Sequence, residues 1–348
     1  MKLENDKPLT LLVTCCQSPY LTGTVNCYRE FGNGIRIIGC DMNKMVHNFA
    51  GYDGFYQVSA VKDEQYIDEL IDICKKEKID LIVPIHTNEL ERIADNIERF
   101  KAIGTDALIS DAKAIRIAND KIKLYDFLDR NGFNVPKSMI TDNAEFAIEF
   151  MRRFHGTPFV IKEAHECGGI GLYVVKNGYE PKIYCYADYI GIEDVKNVIK
   201  DDKLMIIQEF LVGQEYSVDL VCDNGKAVLS AVRHNIVVAG SPRNSVVEED
   251  FGISAEPKKV AELLKFDGCI DFDIKCDEAG KPYIIDCNPR NAATLSLIHK
   301  AGMNMPLAAL RMKIGMTPYD EEPKLVYGTR ILRKMTDYFF TPDMELIE

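Results

Sequence analysis

Short apolar runs alternate with helically spaced apolar positions through the first hundred residues. Leu11 to Thr14, Ile35 to Cys40 (ending at Asp41) and Leu81 to Ile85 have the length of buried strands. Between them, Ile67, Leu70, Ile71 and Cys74 recur at one-turn spacing, and Glu89 to Phe100 carries a second amphipathic helix. This alternation predicts a parallel sheet with crossover helices. A longer helix is predicted from about Asp111 to Arg130, stopped by Asn131-Gly132 with Pro136 beyond.

The pattern then changes. Asp142 and Glu145 are spaced as a capping box before a helix reaching Phe154. Strands dominate afterwards: Phe159 to Lys162, Leu172 to Val175, Leu204 to Phe210, Glu215 to Cys222 and Ala227 to His234, with Asp223-Asn224-Gly225 as a hairpin turn. A helix near Pro257 to Leu264 precedes a hairpin from Ile270 to Asp286 that turns at Glu278-Ala279-Gly280. The tail from Pro306 has no clear period. The chain thus divides into an α/β domain, residues 1–115, and two mixed α+β lobes, 116–203 and 204–348.

Composition narrows the function. A net charge of -12 over 348 residues argues against a nucleic-acid surface, which needs a basic stripe, though it leaves room for one basic cleft. No run is apolar enough for a membrane helix, and Met1 to Thr10 is too mixed and charged for a secretory signal. Eleven cysteines without a CxxC spacing read as reduced thiols, mostly small core residues. These features predict a cytoplasmic protein with no nucleic-acid or membrane partner.

Three blocks carry candidate chemistry. The first is a strand ending in Lys162 followed by Glu166-Cys-Gly168-Gly169-Ile-Gly171. Glycines let backbone N–H groups converge on phosphate oxygens, and the lysine adds a positive charge. Neither a Walker loop nor a dinucleotide fingerprint is present. By itself, a glycine hairpin with a surface lysine explains the block equally well. The second block runs from Gln208-Glu209-Phe210-Leu211 to Glu215, with Glu215, Ser217 and Asp219 on one strand face. Its linker can present backbone groups to an adenine edge, and Glu215 can accept hydrogen bonds from ribose hydroxyls. The third block is the most specific. The period of two puts Asp271, Asp273 and Lys275 on one face of a strand, and Asp286 and Asn288 on one face of the next. A tight turn sets Asp273 opposite Asp286 and Asn288, an oxygen set suited to Mg²⁺ beside a phosphate. Arg290 adds a cation at the same strand end.

Together, in this order and spacing, the blocks resemble the ATP-grasp superfamily, most nearly the carbamoyl-phosphate synthase large-chain and pyrrolysine-biosynthesis ligase types, over roughly residues 10 to 310. The resemblance implies the ATP-grasp fold, a Rossmann-like pre-grasp domain followed by two lobes with ATP bound between them. It implies an ATP- and magnesium-dependent ligase, with manganese as an alternative metal, that activates a small-molecule carboxylate as an acyl-phosphate for attack by an amine. It places Lys121 and Lys162 on the phosphates, Gly168, Gly169 and Gly171 in the loop over the γ-phosphate, and Glu209, Phe210 and Leu211 at the adenine hinge. Glu215 falls on the ribose position, Asp273, Asp286 and Asn288 on the metal positions, and Arg290 on the arginine that steadies the transferring phosphate.

The chain also departs from the family pattern. Asp286 stands where Glu is common, and Thr87 where Asp is usual in Pro84-Ile-His86-Thr-Asn-Glu89. His86 and Glu89 are therefore candidate substrate contacts, although a strand-end histidine is more often satisfied by nearby backbone. Arg233 and Arg243 bracket a segment expected to form a loop over the acceptor carboxylate, which two arginines can clamp. A small-molecule kinase and an ATP-binding regulatory protein without turnover remain as alternatives. A complete carbamoyl-phosphate synthase is not expected from one grasp unit, nor a biotin carboxylase from so short a tail, and a homodimer is the default assembly.

Overall fold

The computed structural model describes residues 8–32, 34–45, 47–163, 172–179, 188–200, 203–239, 241–334, 336–343 and 345–347. The first domain is a parallel sheet of β1 (Leu9–Val13), β2 (Ile35–Asp41), β3 (Gly54–Gln57), β4 (Leu81–Val83) and β5 (Asp106–Ala107) in the order β3-β2-β1-β4-β5. β1 is buried along its whole length, as the central strand of a sheet covered on both faces must be. Helices α1 (Leu21–Arg29), α2 (Tyr66–Glu77), α3 (Thr87–Asp95) and α4 (Ile97–Lys101) belong to this domain, and α2 buries Ile67, Leu70, Ile71 and Cys74 as their spacing predicts. The helix expected over Glu89 to Phe100 is two short ones, broken at Asn96.

The helix expected from Asp111 to Arg130 is also two: α5 (Ala112–Ala118) and α6 (Lys121–Arg130). Asp120 leaves the helical region (φ -112°, ψ 107°), and its carboxylate caps the N–H groups of Ile122 and Lys123. The break makes Lys121 the first residue of α6.

In the middle lobe, β6 (Ser138–Thr141) leads into α7 (Ala144–Arg152), which is capped by Asn143 rather than Asp142. β7 (Phe159–Glu163), β8 (Tyr173–Val175), β9 (Asp188–Ile190), α8 (Val195–Val198) and β10 (Met205–Glu209) follow, and the sheet order is β6-β10-β7-β8-β9. Because β10 pairs antiparallel with both β6 and β7, this lobe extends through Glu209, beyond the boundary expected at residue 204.

The last lobe is an antiparallel sheet of β11 (Glu215–Asp223), β12 (Lys226–Ala239), β13 (Ser241–Glu248), β14 (Gly268–Cys276), β15 (Pro282–Asn288) and β16 (Arg330–Leu332), ordered β15-β14-β11-β12-β13-β16, with α9 (Ala255–Leu264) packed on it. Asn224 and Gly225 both have positive φ, 45° and 88°, as a tight two-residue hairpin loop between β11 and β12 requires. The described residues between Arg233 and Arg243 do not form a loop. They belong to the paired strands β12 and β13.

After α10 (Leu295–Lys300), the tail forms α11 (Met305–Lys313). Leu307, Leu310 and Ile314 from this segment pack with Leu9, Leu11, Val25 and Ile37 of the first domain. The tail therefore ties the first domain to the last lobe. Leu310→Ala should cost roughly 2–5 kcal/mol of unfolding free energy, the usual range for a fully buried leucine, measured as a lowered urea midpoint.

Candidate active site

A cavity of about 560 Å³ lies where the three units meet. The turn after β1 contributes Cys15, Ser18 and Tyr20, and the turn after β4 contributes Ile85, His86 and Thr87. The middle lobe adds Val160, Lys162 and Gln208, and the linker after β10 adds Glu209, Phe210 and Leu211. From the last lobe come Glu215, Ser217, Asp273, Lys275, Asp286, Asn288 and Arg290. The volume falls within the usual range for a small-molecule site.

The sheet of the last lobe sets the floor. In the β14–β15 pairing, Asp273 lies directly opposite Asp286 and Asp271 opposite Asn288. β11 brings Ser217 opposite Asp273 and Glu215 opposite Lys275 on the other side. The Ser217 hydroxyl donates to Asp273 Oδ1 at 2.9 Å. Burial, then the carboxylates of Asp271, Asp286 and Glu215, push the Asp273 carboxyl well above the ordinary range. Among the described residues, no three His, Cys, Asp or Glu side chains are grouped to hold a metal by themselves. The set here is two carboxylates and an amide. It fits Mg²⁺, which takes part of its shell from water and substrate phosphates.

Positive groups ring this floor. Lys121 Nζ sits 3.4 Å from Asp286 Oδ2, placed there by the start of α6. Lys162 donates to Tyr125 Oη at 2.8 Å and to Gln208 Oε1 at 3.0 Å. Burial and then the nearby Lys121 charge lower the Lys162 ammonium to about 7, while Asp286 acts in the opposite direction. Lys275 pairs with Glu215 at 3.3 Å, and Lys137 with Glu209 at 3.6 Å. Arg290 donates to the Asn291 carbonyl at 3.0 Å and to Asn288 Oδ1 at 3.2 Å.

The structure thus brings together Lys121, Lys162, Glu209, Phe210, Leu211, Glu215, Asp273, Asp286, Asn288 and Arg290. Gly168, Gly169 and Gly171 lie outside the described residues, as does the side chain of Arg243. Two expected substrate contacts are corrected. Glu89 is fully buried and accepts from Thr14 Oγ1 at 2.7 Å, Ile85 N at 2.8 Å, His86 N at 2.7 Å and the Tyr66 hydroxyl. Its oxygens hold the turn after β4 and do not reach the cavity. Arg233 lines the cavity but is 1% exposed, and its Nε and Nη2 are already taken by Asp219 and Asp271. Burial opposes its charge, but those two carboxylates outweigh burial and hold the guanidinium protonated. Only Nη1 has no partner among the described residues, so Arg233 cannot give a substrate a two-point grip. His86 lines the cavity while its Nδ1 accepts the Asn88 N–H at 3.2 Å, capping α3.

Tyr125, Gln208 and Lys275 join the site although the sequence assigned them no role in it. Lys275 had a signal, since the period of two puts it on the face of Asp271 and Asp273. Tyr125 and Gln208 had none, because their role depends on how α6 crosses two sheets.

The comparisons with known proteins agree with this architecture. Residues 11–108 match the family model described as PylC-like, N-terminal domain, and residues 201–335 match that of ATP-grasp in the biosynthetic pathway with Ter operon. The carbamoyl phosphate synthase large chain of Methanosarcina barkeri is 23% identical over 285 residues, covering 77% of this chain and 25% of that protein. The chain therefore spans about a quarter of the length of such relatives. The structure of N5-carboxyaminoimidazole synthetase from Staphylococcus aureus superposes with a TM-score of 0.67 at 14% identity, covering 93% of this chain and 82% of that one. The biotin carboxylase domain of Hydrogenobacter thermophilus 2-oxoglutarate carboxylase, solved with MgADP, ADP and bicarbonate, gives 0.65 at 14% identity, covering 88% and 70%. The fold is the ATP-grasp fold, and these sequence relatives and structural neighbours are ATP-grasp ligases.

Within the first domain, Glu89→Gln should lower stability by roughly 1–3 kcal/mol, because charge-assisted bonds to buried donors are lost. Nucleotide affinity of the folded variant should be unchanged, and denaturation together with nucleotide titration reads the two effects apart.

Proposed function

We propose that the chain is an ATP- and magnesium-dependent ligase that joins a carboxylate to an amine through an acyl-phosphate. The observation that carries this reading is the register that sets Asp273 against Asp286, with Asn288 two residues on and Lys162 and Arg290 in the same cavity. Glu209, Phe210 and Leu211 would meet the adenine, Glu215 the ribose, and Lys121 and Lys162 the phosphates. Gly168, Gly169 and Gly171 would complete the phosphate cover.

Asp273, Asp286 and Asn288 would hold the metal, which when bound supplies charge neutralisation to the triphosphate. Arg290 holds the substrate carboxylate near the γ-phosphate and offsets the charge that develops on the transferring oxygens. A carboxylate oxygen attacks the γ-phosphorus, the bond to the bridging oxygen breaks, and ADP leaves. The amine then attacks the acyl carbon, phosphate departs, and the nitrogen loses a proton to water. No protein nucleophile is required. The acyl-phosphate must be kept from water until the amine arrives, which is the task of a closed cavity.

Hydroxylamine added to enzyme, ATP and a carboxylate screen should trap a hydroxamate, and Asp286→Ala should abolish both hydroxamate and magnesium-dependent ADP release. A stable phosphorylated product without hydroxamate would instead identify a kinase, and full activity in Asp286→Ala would remove the metal assignment.

Lys162 gives a second test. In the empty site its proton is half lost near pH 7, and a bound triphosphate favours the charged form. Nucleotide binding at pH 8 should therefore take up protons, and affinity should weaken as pH rises above 7. Calorimetry in buffers of different ionisation enthalpy measures the uptake, and Lys162→Met should abolish it. The matching stability term has the opposite slope. Between the folded value of about 7 and the ordinary 10.5 the unfolded chain holds more protons, so this lysine's contribution to stability of the empty protein rises with pH.

A further inference from the structure

One buried polar chain crosses the last lobe and ends on Asp273. Ser245 of β13 donates from Oγ to Asn235 Oδ1 at 2.8 Å. Asn235 of β12 donates from Nδ2 to Ser217 Oγ at 2.8 Å. Ser217 of β11 donates to Asp273 Oδ1 at 2.9 Å. The three residues are 0%, 5% and 1% exposed, and they lie on three consecutive strands beside β14.

We propose that Ser217, Asn235 and Ser245 are positioning residues that orient Asp273 toward the cation it shares with Asp286. The proposal rests on the reading of Asp273 as a metal ligand. Its argument is directional. With a cation bound, the Asp273 carboxylate is ionised and only accepts, so the Ser217 proton is then committed to it. The Ser217 oxygen then accepts from Asn235, whose Nδ2 can only donate, and the remaining end of that amide accepts from Ser245. Every hydrogen in the chain points toward Asp273. Oδ1 is thereby held from the β11 side, and no hydrogen bond engages Oδ2 among the described residues.

The cost of this arrangement supports a role beyond packing. Three small polar side chains on an interior sheet face give up hydration for bonds that only break even, whereas apolar residues there would pack without penalty. Asp271 cannot substitute for Asp273, because Arg233 already holds it. Partners behind a metal ligand of this kind typically change metal affinity about 10- to 100-fold.

The test is Mn²⁺ binding, followed by electron paramagnetic resonance in the presence of a non-hydrolysable ATP analogue. Asn235→Leu, close in shape, should weaken Mn²⁺ binding roughly 10- to 100-fold. Ser245→Ala should weaken it less, and Ser245→Thr, which keeps the hydroxyl, should restore it. In turnover, the apparent KM for Mg²⁺ should rise while kcat at saturating metal is largely kept, a split that a merely structural defect would not produce. Should Asn235→Leu fail to fold, the Ser245 pair carries the comparison alone. Wild-type binding with unchanged affinity in the folded variants overturns the relay while leaving the metal site intact. Absence of Mn²⁺ binding to the wild-type protein overturns both.

Discussion

Two carboxylates set against each other across adjacent strands in a partly buried site need positive charge near them, and the rest of this site is arranged around that constraint. The acidic groups of the cavity are mostly provided for. Arg233 holds Asp271, Lys275 holds Glu215, Lys137 reaches Glu209, and Lys121 stands beside Asp286. Asp273 receives a hydroxyl but no cation from the described residues, while burial and then its acidic neighbours push its carboxyl up. The electrostatic deficit is thus localised at Asp273, which faces Asp286 across the strand pair. Under the proposed function, a magnesium–nucleotide complex would supply the missing positive charge at that position.

That arrangement depends on three units keeping their relative positions. The tail does part of this by sending α11 back against the first domain, where Leu310 is fully buried. The turn after β4, which lines one wall of the cavity, is held from behind by Glu89 through bonds to Thr14, Tyr66 and two backbone N–H groups. Four donors fix this buried carboxylate in place behind the cavity wall. The first domain therefore contributes shape and neutral polar surface, while the charged chemistry stays on the two lobes.

Much of this was legible in the residues themselves. Strand alternation has a strict period, so the shared face of Asp271, Asp273 and Lys275 followed without any structure, and the Glu278-Ala279-Gly280 turn brought Asp286 and Asn288 against them. The failures have physical causes. The break before Lys121 was hidden because Asn119 and Asp120 look like an exposed helix face. It is set by tertiary contacts, including the Asn119 side chain bonding to the Thr87 carbonyl at 3.2 Å, and by the cap that Asp120 supplies. Arg233 looked like a free cation because its partners lie on two other strands, fourteen and thirty-eight residues away. β10 looked like the start of the last lobe because it adjoins that lobe in sequence, yet hydrogen bonding assigns it to the middle one. Pairing partners of this kind are not encoded in local periodicity.

The coupling between the lobes has a specific mechanical form. The β14–β15 register slips just past Asp273, leaving Ile285 as an extra residue immediately before Asp286. Such a bulge bends its strand and re-aims the adjacent side chain. Its carbonyl accepts the Tyr125 hydroxyl at 2.8 Å, and the same hydroxyl oxygen accepts from Lys162 at 2.8 Å. One side chain from α6 therefore spans the middle-lobe strand that carries the lysine and the last-lobe strand that carries the aspartate. α6 also begins with Lys121, whose ammonium reaches Asp286 itself. A single helix therefore places both lysines against the carboxylate pair across two lobes.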